Sequence, residues 1–288
     1  VEWLEAQIKK CGLGKYPQLA LMPRPSVRLR PSRTRMDRMA MGRSRLGGLP
    51  DLPMGMEWPR WDQGPLTPMA VLNLADIAKV MPSSPLPSGG WLVFWFDTFN
   101  QPIGFSPADR GGYRVDYIPE KAKLYRPSIP ADFRRDHDEP TAKVYEACSV
   151  DPKMIMTMPP YQDIEASTLG LPFEQVGDYI TLLERWVKRH GENNGSIVLG
   201  HPYVEQNEMR TQCQYVYAGF KYGPVSARAF KKLIAPGIND WTLLAQFGPE
   251  PKAPSWMFGD VGNLYYWIRQ QDLEAGRFDA VVGTWQCG

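Results

Sequence analysis

Cysteine is scarce. The four residues, Cys11, Cys148, Cys213 and Cys287, lie far apart with no CxxC pair, which excludes a dense disulfide framework and a cysteine-based zinc ribbon. Histidine is scarcer, with only His137, His190 and His201, and no HExxH spacing occurs. No Gly-x-Ser-x-Gly elbow, P-loop or Gly-x-Gly-x-x-Gly following a strand is present. The longest apolar run, residues 91–96, is far short of the roughly 20 residues that span a bilayer as a helix. Neither sign of charge dominates: 33 basic against 31 acidic residues leave a net charge of +2, giving no global case for nucleic-acid binding. The start, Val1-Glu2-Trp3-Leu4-Glu5, carries two acids and lacks the apolar stretch of a signal peptide. It also lacks Met, which implies that a few residues are missing. A cytoplasmic location without a membrane span is the expectation, and neither a cofactor nor a metal is expected.

What is present is enough for a core. The 288 residues are 43% hydrophobic and 12% aromatic, which excludes wholesale disorder and suits two domains or one large one. The 28 prolines and 26 glycines cut the chain into short segments, favouring sheets joined by loops over a helical bundle. Trp3, Leu4 and Ile8 share a helical face, with Gly12 as the stop. Strands are expected at residues 26–30, 69–74, 91–96, 111–117, 197–199, 242–247, 256–258 and 264–268. Asn73 is the odd polar member of its strand and needs a partner if enclosed. Gly259-Asp260-Val261-Gly262-Asn263 reads as a hairpin turn. Residues 119–172 show little periodicity and read as a connector with some local structure. Phe173, Val176, Ile180, Leu183 and Val187 recur at helical spacing, closed by Gly191. Asp272 reads as the N-cap of a short helix.

Residues 24–45 hold eight arginines, no lysine and one acid, Asp37. A basic binding patch is one reading. A strand with alternating solvated arginines, Arg28 and Arg30 among them, is the favoured one, because aromatic residues that could stack on bases are missing from the stretch.

The two ends of the chain echo each other in order. Leu46-Gly47-Gly48-Leu49-Pro50-Asp51 matches Val198-Leu199-Gly200-His201-Pro202-Tyr203, and Met69-Ala70-Val71-Leu72-Asn73 matches Leu244-Ala245-Gln246-Phe247-Gly248. The third pair is residues 90–96 and 262–268. Two sheet-rich repeats are therefore expected, with a ligand groove at their junction. The organisation is an N-terminal helix and arginine-rich strand (1–45), a first repeat (46–125), a connector with an amphipathic helix (126–192) and a second repeat (193–288). Residues 46–288 would form one compact domain.

These segments also carry a resemblance. Gly47-Gly48-Leu49-Pro50-Asp51-Leu52-Pro53 with Trp58-Pro59, then Pro65-Leu66-Thr67-Pro68-Met69-Ala70, Trp241-Thr242-Leu243-Leu244-Ala245-Gln246, and Trp256-Met257-Phe258-Gly259-Asp260-Val261-Gly262-Asn263 are similar to motifs of the YwqG-like family, also known as DUF1963. The chain departs from it at His201-Pro202-Tyr203, where an acid is more usual at the last position. The resemblance implies an α+β fold of duplicated, mostly antiparallel sheet-rich units joined by a connector and a central helix, and no particular activity. It also implies a kinship in style with bacterial toxin–immunity proteins; the 259–263 turn locally resembles the SMI1/KNR4-type immunity fold.

The chemistry-bearing residues sort accordingly. His201 with Cys213 and Glu208 could contribute to a metal site, but their spacing favours packing. His201 and Cys213 as a nucleophile pair is a weaker reading still. His137 reads as solvated, and His190 complements a helix C-terminus. Asp51, Glu57, Asp97, Asp260 and Asp272 could supply a carboxylate pair for glycoside hydrolysis; turn, cap and strand-end roles compete with that. The leading expectation is a non-enzymatic bacterial binding protein of immunity type that engages another protein, using Trp58, Trp61 and the arginines Arg28 and Arg30. The alternative is a small-molecule or carbohydrate-binding enzyme, with His201, Gln246, Asp260 and Asn263 around the groove. Nucleic acid is the least favoured partner.

Overall fold

The structure, a computed structural model, describes residues 2–32, 38–62, 64–133, 144–163, 169–191, 194–250 and 254–288. In chain order its strands begin with β1 (Arg24–Ser32), β2 (Arg45–Leu46), β3 (Leu52–Pro53), β4 (Arg60–Trp61), β5 (Gly64–Pro65), β6 (Thr67–Asn73) and β7 (Trp91–Phe96). They continue with β8 (Tyr113–Ile118), β9 (Leu124–Tyr125), β10 (Cys148–Thr157), β11 (Ile197–Val198), β12 (Trp241–Phe247), β13 (Asn263–Arg269) and β14 (Val282–Gln286). The helices are α1 (Glu2–Lys10), α2 (Leu74–Val80), α3 (Phe173–His190), α4 (Arg210–Tyr217), α5 (Ala227–Ala229) and α6 (Gln270–Glu274). Among the described residues no helix is long and apolar enough to cross a membrane.

Ten strands form one antiparallel sheet in the order β14-β13-β12-β11-β1-β10-β2-β6-β7-β8, with β3–β9 and β4–β5 as small ribbons beside it. The fold is α+β and mostly antiparallel. The sheet curls until its edge strands meet: Gly283 on β14 lies against the Tyr113 ring of β8. Residues 101–104 seal the seam, with Thr284 Oγ1 donating to the Ile103 carbonyl at 2.9 Å and Trp285 Nε1 to the Gln101 carbonyl at 3.2 Å.

A quartet of strands stands on each side of the long β1–β10 pair, β2-β6-β7-β8 and β11-β12-β13-β14. Each has an irregular register on its second strand, between Pro68 and Ala70 on β6 and between Leu243 and Ala245 on β12. Each first strand also runs into two residues of positive φ, Gly47–Gly48 and Leu199–Gly200. The amide of Gly47 donates to the Met69 carbonyl at 2.7 Å, and that of Leu199 to the Leu244 carbonyl at 3.1 Å.

Strand alternation sends one side chain in two to each face. Leu46, Ala70, Phe94 and Val115 from one quartet, with Val198, Ala245 and Tyr266 from the other, face inward onto a single core. Phe94 meets Phe247 and Tyr266 edge-on at 5.2 and 5.1 Å. Rings of this size contribute about 1.5–3 kcal/mol each by burial. The space between the quartets is thus packed core. The outer faces are also covered: α4 packs Cys213 and Val216 over Trp241, Leu243, Tyr265 and Trp267, and Leu52, Leu66 and Trp58 cover Val71, Val93 and Trp95.

Several expectations need revision. Residues 148–157, read as part of a connector, form β10 at the middle of the sheet, paired with β1 along its whole length. The helix over 173–190 exists, but it buries Tyr179, Leu182 and Trp186 against α1 and leaves Phe173 and Ile180 exposed. Asp272 lies inside α6 rather than at its N-cap, and accepts from Arg277 Nε at 2.8 Å. Trp256 and Phe258 make only isolated bridges. Asn73 finds its partner as the N-cap of α2, accepting from the Ala75 amide at 3.0 Å.

Candidate binding surface

Buried ionisable groups come first, because a catalytic group would be sought among them. Asp51, fully buried on the loop after β2, accepts from Arg45 Nη1 at 2.8 Å, Arg126 Nε at 2.7 Å and the Gly42 amide at 2.8 Å. Burial works to raise its carboxyl, but the Arg126 bonds and the Arg45 charge together hold it below the usual range. Arg45 itself is fully buried, so the most C-terminal arginine of the basic stretch is a core ion-pair member. Asp163 is bound by Arg210. Asp97 accepts from the Phe99 amide at 2.8 Å and from Asn100 Nδ2 at 2.7 Å. These bonds give the carboxylates structural roles.

His201 is fully buried, its Nε2 2.8 Å from the Met22 carbonyl, and burial pushes the imidazole down to about 4. Cys213 sits in the core beneath α4, where burial pushes its thiol well up, and Glu208 accepts from the Thr211 amide at 3.1 Å. His201, Cys213 and Glu208 are therefore each engaged elsewhere. His190 stacks on Trp186 at 4.0 Å; His137, Arg33 and Arg35 lie outside the described residues.

The other residues read as binding candidates fall in different places. Arg28 and Gln246 converge on Gly195, Arg28 packing its guanidinium against it and Gln246 Nε2 donating to its carbonyl at 2.9 Å. Asn263 Nδ2 donates to Glu205 Oε1 at 2.9 Å, beside the same loop. Arg30 is exposed on β1 across from Asp151. Asp260 is exposed, its carbonyl accepting from the Gly288 amide at 3.0 Å. Trp58 is partly buried, donating Nε1 to the Leu66 carbonyl at 2.8 Å and packing edge-on to Trp95 at 5.6 Å. Trp61 is partly buried against Gly111 and Gly112.

A surface that composition alone did not single out lies after α4. Gly219, at φ +85°, turns the chain away from α4. Tyr215, Ile234 and Ile238 form a small core under residues 218–240. Five of these residues, Phe230–Ile234, take a π-helical turn, a form often found at functional sites. Outside this core Phe105, Tyr222, Phe230 and Leu233 remain 37–48% exposed. The Tyr222 amide donates to the Phe105 carbonyl at 2.7 Å and the two rings are 5.4 Å apart, which joins them into one patch. Residues 219–234 carry Lys221, Arg228, Lys231 and Lys232 and no acid. All four are exposed, and none has an ion pair among the described residues. The signal that could have found them is the acid-free run of cations.

The profile described as "Domain of unknown function (DUF1963)" matches residues 44–287. The chain belongs to the DUF1963 family. The matched span takes in both strand quartets and the β10 strand between them. No curated protein matches the chain.

Proposed function

We propose that this DUF1963 protein is a non-enzymatic binding protein that engages an acidic surface of another protein, as a toxin-neutralising protein would. The observation that carries the reading is the patch of Phe105, Tyr222, Phe230 and Leu233 set among Lys221, Arg228, Lys231 and Lys232. Exposed aromatic anchors ringed by one sign of charge have the composition of a recognition hot spot, with the charges steering encounter and the rings supplying affinity. The structural bonds made by Asp51, Asp97, Asp163 and His201 support binding over catalysis. A cytoplasmic setting belongs to the same proposal and is supported by four free thiols, three of them buried. So does an origin of the quartets by duplication, supported by their matched order, irregular second strands and positive-φ pairs.

The test compares tagged wild-type chain with Phe230→Ala and with the pair Lys231→Glu and Lys232→Glu in pull-downs from the native host. The expected result is one stoichiometric protein held by the wild type through a moderate-salt wash and lost by both variants, with melting temperatures unchanged. Partners captured equally by all three, or none by any, would overturn the reading.

A further inference from the structure

We propose that a cavity between α1 and the C-terminal end of α3 binds a small aromatic acid, a planar ring system that carries one carboxylate. Its volume is about 350 Å³, at the lower end of small-ligand sites. Trp3 on α1, with Trp186 and His190 on α3, supplies the aromatic lining, and Leu4, Pro23 and Met156 supply the apolar wall. Arg189 brings a charge to the same cavity.

The rings are fixed by their contacts. Trp186, 6% exposed, donates Nε1 to the Met156 carbonyl at 3.2 Å and stacks on His190 at 4.0 Å between centroids. Trp3 meets Trp186 at 6.2 Å with a tilt of 50°, and His190 edge-on at 5.8 Å. A further aromatic ring would extend a cluster already built from the tilted and edge-on contacts that such rings prefer. The cavity also joins two parts of different origin. The family match begins at residue 44, so Trp3, Leu4 and Pro23 lie outside it, whereas Met156 and α3 lie within it. A ligand held here belongs to this chain's own N-terminal segment packed on the family domain.

Charge selects the ligand class. Aromatic rings around a cavity also suit a cation, but here a cation is already in place. Arg189 lies over the Trp3 ring, its Cζ 4.8 Å from the centroid, and no acid is among the lining residues, so a second cation would meet repulsion without compensation. The contact with Trp3 engages the guanidinium through the ring face and uses none of its N–H donors. Arg189 has no hydrogen bond or ion pair among the described residues, and its planar fork matches a carboxylate. Burial, followed by the Arg189 charge, lowers the pKa of His190, so the imidazole is neutral at pH 7 and adds no second positive charge. One cation matches one carboxylate; a doubly charged phosphate would be half-compensated. A neutral sugar would leave the guanidinium unmatched, and Trp186 is too enclosed to offer it a stacking face.

The test is isothermal titration of the full chain with benzoate and indole-3-acetate. Indole-3-acetamide removes the anion, tryptamine reverses the charge and cyclohexaneacetate removes the aromatic ring. At least one aromatic acid should saturate the protein one to one. The amide and tryptamine should bind about tenfold or more weakly, the scale of a lost charge-assisted hydrogen bond, and cyclohexaneacetate should also bind more weakly. Arg189→Gln should bind acid and amide alike. Ala20→Trp, which fills the cavity from its lining, should bind neither. Arg189 is exposed, so its variant should keep a cooperative melting curve, and it decides the matter alone if Ala20→Trp does not fold. No saturable binding into the millimolar range, tightest binding by tryptamine, equal affinity for an aromatic acid and its uncharged or non-aromatic counterpart, or an acid preference that survives Arg189→Gln would each overturn the proposal. These readouts do not involve the 219–234 surface.

Discussion

Consider lowering the pH on a protein whose His201 is held neutral. The imidazole is fully buried, its Nε2 bonded to the Met22 carbonyl at 2.8 Å, while its own amide donates to Thr157 Oγ1 at 2.8 Å. Burial lowers its pKa from 6.5 to about 4; the Met22 carbonyl and Asp163 oppose that shift, while Arg24 and Arg210 reinforce it. Above pH 6.5 the ring is neutral folded or unfolded and contributes no pH dependence. Between 6.5 and 4 the unfolded chain takes up a proton that the native site refuses, so stability falls as pH falls, and the slope ends near 4, where the native ring protonates too. The gap corresponds to roughly 3 kcal/mol in full, and to roughly 2.5 kcal/mol between pH 7 and 4.5. That is a large part of the about 5–15 kcal/mol that holds a typical domain. The assay is urea unfolding followed by tryptophan fluorescence at several pH values, for wild type and His201→Gln. Glutamine can still donate to the Met22 carbonyl but cannot titrate. Other groups, including Glu205 and Glu250, whose carboxyls are raised by burial, act in both proteins and cancel in the difference. The wild type should lose roughly 2.5 kcal/mol more than the variant over this interval. Parallel pH profiles would refute the neutral, buried histidine.

Three further outcomes follow from the packing. Asp51→Asn leaves Arg45 and Arg126 facing a neutral group inside the core and should cost about 3–5 kcal/mol in urea unfolding; a change below about 1 kcal/mol would contradict the triad's role. A disulfide thiol reagent should label Cys287 in the native protein and spare Cys148, pushed up to about 12, and Cys213, which burial raises well above the ordinary thiol range, until denaturant is added; rapid native labelling of Cys213 would contradict the α4 packing. Gly283→Ala would drive a methyl into the Tyr113 ring at the barrel seam, so unfolding should become easier by at least about 1–3 kcal/mol. An unchanged melting curve would mean that β8 and β14 do not meet.

Legibility varied with how local each signal was. The strands at 91–96, 241–247 and 263–269 were readable because apolar and aromatic runs bounded by turn residues leave few other choices. Asn73 was recognisable as needing a partner, and its capping role is local. β10 was unreadable because Pro152 and the charges of Asp151 and Lys153 break any alternation; it is a strand because β1 pairs with it from Arg24 to Ser32. The helix at 173–190 was readable in extent but not in orientation, since α1 and Met158 decide which face is buried.

The candidate surfaces divide in the same way. Local composition determined the antiparallel strands, the central helix and the family, because strand alternation, helix periodicity and turn chemistry act over a few residues. Tertiary structure alone decided which charges are structural and which are available. Arg45 and Arg30 are alike in the chain, yet Asp51, itself held by Arg126 from 75 residues further on, draws only Arg45 into the core. Likewise, Phe105 and Tyr222 become one patch only when the sheet closes and brings distant loops together. Burial and pairing depend on contacts between segments far apart in the chain, and those contacts exist only in the folded molecule.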